Sequence, residues 1–141
     1  MDEFLSLGLL LNRASVSIAK SLNNRFLEQG IDLPHSQFIV LRCLYYHNEI
    51  SQQEIARLLF KDAAAIKRTI DNLEKKGLII RKQERLQKNC IYISDKGRAI
   101  LQKVLLIAET VIQKALGDID ADQYKQLQSM LNIIYQNTEI K

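Results

Sequence analysis

The chain has 141 residues, of which 47% are hydrophobic and 26% charged, a composition typical of one globular domain rather than two. No stretch approaches the roughly 18 uncharged apolar residues of a membrane span, and the first residues carry acids where an export signal would carry basic side chains. We therefore expect a cytoplasmic protein with no membrane partner. Five glycines and one proline favour long helices over many short strands.

The net charge of +4 is unevenly distributed along the chain. Residues 50–103 contain 13 Lys or Arg against 6 Asp or Glu, a net charge of +7. Residues 1–49 carry 4 against 5, and residues 104–141 carry 3 against 5, so both ends are slightly acidic. A basic excess confined to one region indicates a phosphate-binding face. A solvated surface is the alternative, and charge alone does not separate the two.

Two helices are predicted in the first third of the chain. Apolar residues recur every three or four positions from residue 4 to about residue 29, which predicts a long amphipathic helix ending at Gly30. Pro34 is expected in the first turn of a second helix, where its missing N–H costs nothing. This helix is predicted to run to about His47.

Two more helices and a glycine stop follow. Ser51 and Glu54 form the capping-box pattern Ser-x-x-Glu, which predicts a third helix ending near Leu59. Asp62 is expected to cap a fourth helix that ends at Gly77.

A hairpin and two closing helices complete the predicted order. Residues 78–82 and 89–93 are β-prone and are separated by the polar tip QERLQK, which predicts a two-stranded wing. Ser94 caps a long helix to about Leu116, and Asp120 starts the last helix. The order α-α-α-α-β-β-α-α is a mainly α fold with a small β-wing, built around a winged helix-turn-helix core.

The outer helices are more apolar than a compact central lobe requires. We divide the single domain, residues 1–141, into a winged helix-turn-helix lobe at 34–98 and helical regions at 1–30 and 99–141. Thin helical extensions cannot bury apolar faces alone, so we expect these regions to dimerise with a second copy. Completion of a monomeric bundle is the alternative.

The fourth predicted helix has one apolar side and one side suited to DNA. At 100° per residue, Ile66, Ile70 and Leu73 share one side. Arg68 can donate two hydrogen bonds to guanine, and Asn72 can pair with adenine or contact a phosphate. The full set predicted to face DNA is Ala64, Ala65, Lys67, Arg68, Asn72 and Lys75. A solvated helix face is the alternative interpretation.

Further donors flank this helix. Gln52 and Gln53 begin the third helix and can place donors on a phosphate. Arg57 and Arg81 are weaker candidates for contacts to the DNA backbone. Three wing cations can reach a flanking minor groove or its phosphates: Lys82, Arg85 and Lys88.

The segment ISQQEIARLLFKDAAAIKRTIDNLEKKGLIIRK, followed by IYISDKGRAIL, resembles the winged helix-turn-helix of the MarR family of bacterial transcription regulators. The most specific motifs are SQQEIA, IDNLEKKGLI and the Ser-Asp-Lys-Gly after the wing, and the likeness extends over nearly the whole chain. The resemblance implies a homodimer whose terminal helices interlock, with each subunit presenting one recognition helix to double-stranded DNA.

The resemblance also implies a small phenolic or otherwise amphipathic effector, bound between the dimer interface and the DNA-binding lobe. Such an effector alters the spacing of the lobes and releases the DNA. Candidate pocket residues are His35, Tyr45 and Tyr46, for which packing in a helical core is the alternative.

Two features depart from the family pattern. Ala64 and Ala65 stand where Ser or Thr is usual. The wing tip lacks the usual Asp-Arg or Asp-Lys-Arg pattern and is about two residues shorter, with Glu84-Arg85 as the nearest equivalent. These departures concern the operator sequence and the role of Arg85, not the fold.

The leading hypothesis is a homodimeric repressor on a pseudo-palindromic operator, with half-sites roughly 34 Å apart. One alternative is a protein-interaction module that has lost DNA binding, which the hydroxyl-poor run at residues 63–65 supports. Another is a metal-responsive regulator, since Cys43 and His47 share a helix face. A metal sensor needs a third or fourth ligand, and only His35 and scattered acids remain, so we expect no metal. No cofactor or enzymatic activity is expected either, because the chain has no Gly-rich phosphate loop or nucleophile motif.

Overall fold

The computed structural model describes the backbone of residues 3–47, 49–84 and 88–139, and within them the side chains of all but residues 4, 5, 83, 84, 88 and 89. The elements are α1 (Glu3–Glu28), α2 (His35–Tyr46), β1 (Ile50–Ser51), α3 (Gln52–Leu58), α4 (Ala63–Lys75), β2 (Ile79–Glu84), β3 (Lys88–Ile93), α5 (Asp95–Leu116) and α6 (Ala121–Thr138). The predicted mainly α fold with a small β-wing is confirmed.

Side-chain caps set the helix starts. The Ser51 hydroxyl accepts the backbone N–H of Glu54 at 3.2 Å, and Ser94 accepts that of Gly97 at 3.0 Å. At the start of α6, the Asp120 carboxylate accepts the N–H of Gln123 at 2.8 Å in a complete capping box. Pro34 is the N-cap of α2, one residue before the helix, so its predicted place inside the first turn was wrong. Its ψ of 155° is extended, and helical backbone begins only at the next residue.

The sheet has three antiparallel strands in the order β1-β3-β2. The two-residue strand β1 was not predicted, because so short a segment has no alternating pattern of its own; its Ile50 pairs with Ile91. The wing strands also reach further toward the tip than predicted, and Glu84 lies opposite Lys88 in the register.

One hydrophobic core joins the sheet to the helices around it. The α4 residues Ile66, Ile70 and Leu73 are buried in it, as the helical periodicity predicts. Gly97, in the first turn of α5, lies against the end of the wing: a Cβ there would be 2.2 Å from the carbonyl oxygen of Leu78. This close approach fixes the start of α5 against the sheet.

Helices α1, α5 and α6 also expose apolar side chains. α1 packs against α5, but α6 buries none of its residues in this chain. Large exposed side chains on these helices include Leu7, Leu9, Leu10, Val16, Leu27, Leu106, Met130, Leu131 and Ile133. No helix in the described part of the chain is long and apolar enough to cross a membrane.

Candidate nucleic-acid interface

Helix α4 presents a polar face opposite its buried stripe. Asp62 caps the helix by accepting the N–H of Ala64 at 3.4 Å. Ala65 is half-buried, and its carbonyl accepts the Thr69 hydroxyl at 3.0 Å. The predicted DNA-facing residues that are exposed are Ala64, Lys67, Arg68, Asn72 and Lys75. Small side chains at the beginning of the helix and long donors further along it suit insertion in a major groove.

Helix α3 lies against α4 through the helix-turn-helix turn. Gln52, its first residue, is half-buried, and Gln53 is exposed. Both are therefore at the N-terminal end of α3, where backbone N–H groups lack partners within the helix. Arg57 is exposed one turn later.

In the wing, Lys82 is exposed, and its Nζ lies 5.5 Å from the centroid of the Tyr92 ring. Cross-strand pairing places Lys82 opposite Cys90 and Ile80 opposite Tyr92. Arg85 lies outside the described residues, as does the side chain of Lys88.

Arg81, a weaker candidate for DNA contact, faces the protein instead. Its guanidinium donates to Asp71, and its Nε lies 3.5 Å from the carboxylate of Glu74, so both partners are on α4. Sequence reasoning missed this pairing. The available signal was the period-two pattern, which places Arg81 on the same face of β2 as the buried Ile79.

Lys76 connects the end of α4 to two other parts of the lobe. Its Nζ donates to the carbonyl of Asp32 at 2.9 Å and to the side-chain oxygen of the buried Gln37 at 2.6 Å. Its own carbonyl accepts Lys96 Nζ at 2.9 Å. Nothing in the sequence pattern pointed to this network, which holds the C-terminal end of α4 in place.

The three candidate pocket residues lie in different surroundings. Tyr46 is 64% exposed. It borders a cavity of about 450 Å³ between α1, α2, α5 and α6, whose lining includes Arg42, Leu105 and Tyr124. Among the described residues that line this cavity, neither His35 nor Tyr45 is present.

Tyr45 and His35 have partners of their own. Tyr45 meets Tyr46 edge to face, with ring centroids 5.2 Å apart, and lies 5.9 Å from the guanidinium of Arg98. The backbone N–H of His35 donates to Asn23 Oδ1 at 2.6 Å. Burial lowers the pKa of His35, and the positive charges of Lys61 and Arg42 lower it further.

Cys43 and His47, which were considered as metal ligands because they share a helix face, differ from each other in exposure. Cys43 is buried, and burial raises the pKa of its thiol, whereas His47 is exposed. Among the described side chains, no three His, Cys, Asp or Glu residues are grouped so as to hold a metal ion.

The lobe consists of the packed helices α2, α3 and α4 followed by a β-hairpin, and α4, the second helix of the helix-turn-helix, has an exposed polar side. These features define a winged helix-turn-helix DNA-binding protein. The MarR family model matches residues 33–85. An HTH-type transcriptional regulator of Bacillus cereus is 28% identical over 125 residues, which cover 87% of this chain and 83% of that protein. The winged helix-turn-helix lobe of this chain thus matches the MarR family, and the curated relatives of the chain are HTH-type transcriptional regulators.

Solved structures agree with this fold. A MarR-family transcriptional regulator from Rhodococcus sp. RHA1 superposes with a TM-score of 0.85 at 20% identity, covering 99% of both chains. Bordetella bronchiseptica BpsR, whose DNA binding is regulated by 6-hydroxynicotinic acid, superposes with a TM-score of 0.80 at 20% identity. That match covers 90% of this chain and 91% of BpsR.

Proposed function

We propose that this regulator binds a pseudo-palindromic operator as a homodimer, represses transcription there, and releases DNA when a small aromatic effector binds. The observation that carries the DNA-binding part is the division of α4, which buries Ile66, Ile70 and Leu73 while exposing Arg68, Asn72 and Lys75. The net charge of +7 over residues 50–103 supplies attraction to phosphates around that face.

The apolar surface of the outer helices supports the dimer. Leu10 is 58% exposed, Leu106 68% and Met130 53%, and α6 buries no residue against its own chain. Such exposure is costly in water and is removed when a second copy covers it. Two-fold symmetry then places two α4 helices about one helical turn, roughly 34 Å, apart.

Footprinting on the DNA around the protein's own gene tests the operator. We expect protection of an inverted repeat whose half-sites are about 10 base pairs apart, and an affinity that falls steeply with salt. Analytical ultracentrifugation of the free protein should show a dimer. A chain that shifts no duplex even at low salt would instead favour a protein-interaction role.

The cavity beside Tyr46 supports the effector. It combines apolar side chains such as Leu105 with the charged Arg42 and Glu109 and the phenol of Tyr124, a lining suited to a small amphipathic aromatic compound. The DNA binding of BpsR, a structural neighbour, is regulated by 6-hydroxynicotinic acid. A panel of phenols and aromatic acids, including 6-hydroxynicotinic acid, should contain a compound that releases the operator. Loss of that release in Tyr46→Ala, with operator affinity retained, would place the effector in this cavity.

A further inference from the structure

Four charged side chains form a cluster between the recognition helix and the wing: Lys67, Asp71, Glu74 and Arg81. Asp71 lies at its centre. One of its carboxylate oxygens accepts the Arg81 guanidinium, and the other lies 3.5 Å from Lys67 Nζ. Glu74 lies 3.5 Å from the Nε of Arg81. The two anions of the cluster thus form ion pairs with its two cations, although the surrounding residues 50–103 carry a net charge of +7.

The cluster lies at the edge of the DNA-facing side of α4. Asp71 follows Ala64 by seven residues, or nearly two turns, and so lies on the same side of the helix. The side chain of Lys67 is 64% exposed, and that of Asp71 is 37% exposed. Arg81 is less accessible at 27%, and its Nε atom is buried.

The Asp71 carboxylate is ionised under ordinary conditions. The hydrogen bond from Arg81 is the main reason that its pKa lies below the usual range, and Lys67 lowers the pKa further. Asp71 therefore presents a full negative charge at the border of a surface that must approach phosphates.

We propose that Asp71 is a specificity-determining residue, because its ion pairs with Lys67 and Arg81 engage two cations that would otherwise bind the phosphates of random DNA. The inference rests on the proposed DNA binding. Affinity for random DNA follows the number of cations free to displace counterions, whereas affinity for an operator also depends on the position of base-reading side chains. Asp71 lowers the affinity for random DNA by pairing with two cations. It maintains the affinity for the operator because its contact with Arg81 holds the wing against α4.

The test compares Asp71→Asn with Asp118→Asn. Both variants remove one negative charge, but Asp118 lies in the linker between α5 and α6, outside the lobe. Fluorescence anisotropy would give the affinity for the mapped operator and for a random duplex between 50 and 200 mM salt. Asp71→Asn should bind random DNA with a salt slope steeper by about 0.9, one additional phosphate contact. Its operator-to-random affinity ratio should fall about three-fold or more, because random DNA gains a phosphate contact while the wing is held less firmly against α4 at the operator.

Two further variants separate this role from a general loss of structure. Asp71→Glu keeps the charge and should restore the wild-type ratio. Arg81→Met should weaken operator binding while leaving the salt slope on random DNA unchanged, because Arg81 contacts α4 rather than phosphate. If Asp71→Asn melts below the assay temperature, Asp71→Ser supplies the same neutral state.

Two results would overturn the role of Asp71 while leaving the proposed operator binding of the wild-type protein intact. One is a ratio and slope for Asp71→Asn that match those of Asp118→Asn. The other is a shallower slope in Arg81→Met, which would make Arg81 a phosphate ligand. If the wild-type protein binds no specific duplex more tightly than random DNA, the proposed function fails as well. The two failures are therefore distinguishable.

Discussion

The rings of Phe60 and Tyr135 meet edge to face with their centroids 6.1 Å apart, which joins the helix-turn-helix turn to the last helix. Phe60 has a φ of +51°, a left-handed conformation that costs a non-glycine residue roughly 1–2 kcal/mol. It is also 73% exposed, so burial does not account for an aromatic residue there. The edge-to-face contact with Tyr135 is a stabilising interaction that offsets this conformational cost.

Substitutions of Phe60 should separate the strain from the ring contact. Phe60→Ala loses the ring and keeps the strained φ, whereas Phe60→Gly loses both, so the glycine variant should be more stable than the alanine variant by about 1 kcal/mol. Urea unfolding measures the difference. In a double-mutant cycle, Tyr135→Ala and Phe60→Ala should couple by about 0.5–1.5 kcal/mol. Strictly additive effects would show that the rings do not meet in solution.

Gly97→Ala should destabilise the fold by at least about 1–3 kcal/mol, because the new Cβ would overlap the backbone carbonyl of Leu78. The matched control is Gly8→Ala in α1, where a Cβ meets nothing within 4 Å. Loss of backbone freedom in the unfolded chain should make that variant more stable by about 0.5–1 kcal/mol. Chemical denaturation of both variants gives the comparison, and equal stabilities would contradict the tight packing at Gly97.

Arg68→Ala should weaken operator binding by about 1–3 kcal/mol and relax discrimination at one base pair, since Arg68 is expected to read a base edge. Lys75→Ala should instead weaken binding to all sequences alike and reduce the salt slope by about 1, as expected for a phosphate contact. Titrations against operator variants with single substitutions distinguish the two. Wild-type binding by Arg68→Ala would remove Arg68 from the interface.

The stabilising effect of Asp71 should depend on pH. Arg81, and then Lys67, hold the pKa of Asp71 below its value in the unfolded chain. The carboxylate therefore contributes stability above the unfolded pKa, roughly 4, and this contribution is lost as the pH falls through the folded pKa. The stability gap between wild type and Asp71→Asn should be constant from pH 7 to about 5 and close at lower pH. Urea unfolding across this range checks the prediction, and a gap that persists in acid would argue against the ion pair.

Much of the fold follows from local signals in the sequence. The stops at Gly30 and Gly77 are confirmed by their positive φ angles, and the caps at Ser94 and Asp120 by their hydrogen bonds. The buried side of α4 also follows from its periodicity. Each of these features depends on residues within about one or two turns of each other, which is the range over which sequence spacing defines geometry.

Other features depend on elements that are distant in the chain. The predicted wing was too short and β1 was absent from it, because strand limits are set by the partner strand's hydrogen bonds. Arg81 was a weaker candidate for a contact with the DNA backbone, but its direction depends on how β2 lies against α4. The aromatic residue Tyr46 borders a cavity that exists only because four helices converge there.

By itself, the sequence determined the class of the protein and the side of α4 that faces outward, since periodicity and capping are properties of single helices. Only the tertiary structure decided which cations on the basic lobe are free. Lys67 and Arg81 look alike in a count of positive charges, yet Asp71 holds both. The Lys67–Asp71 pair lies within α4 at a spacing of four residues, which helical geometry already allows. The Asp71–Arg81 pair joins two separate elements, and no local pattern encodes the distance between them.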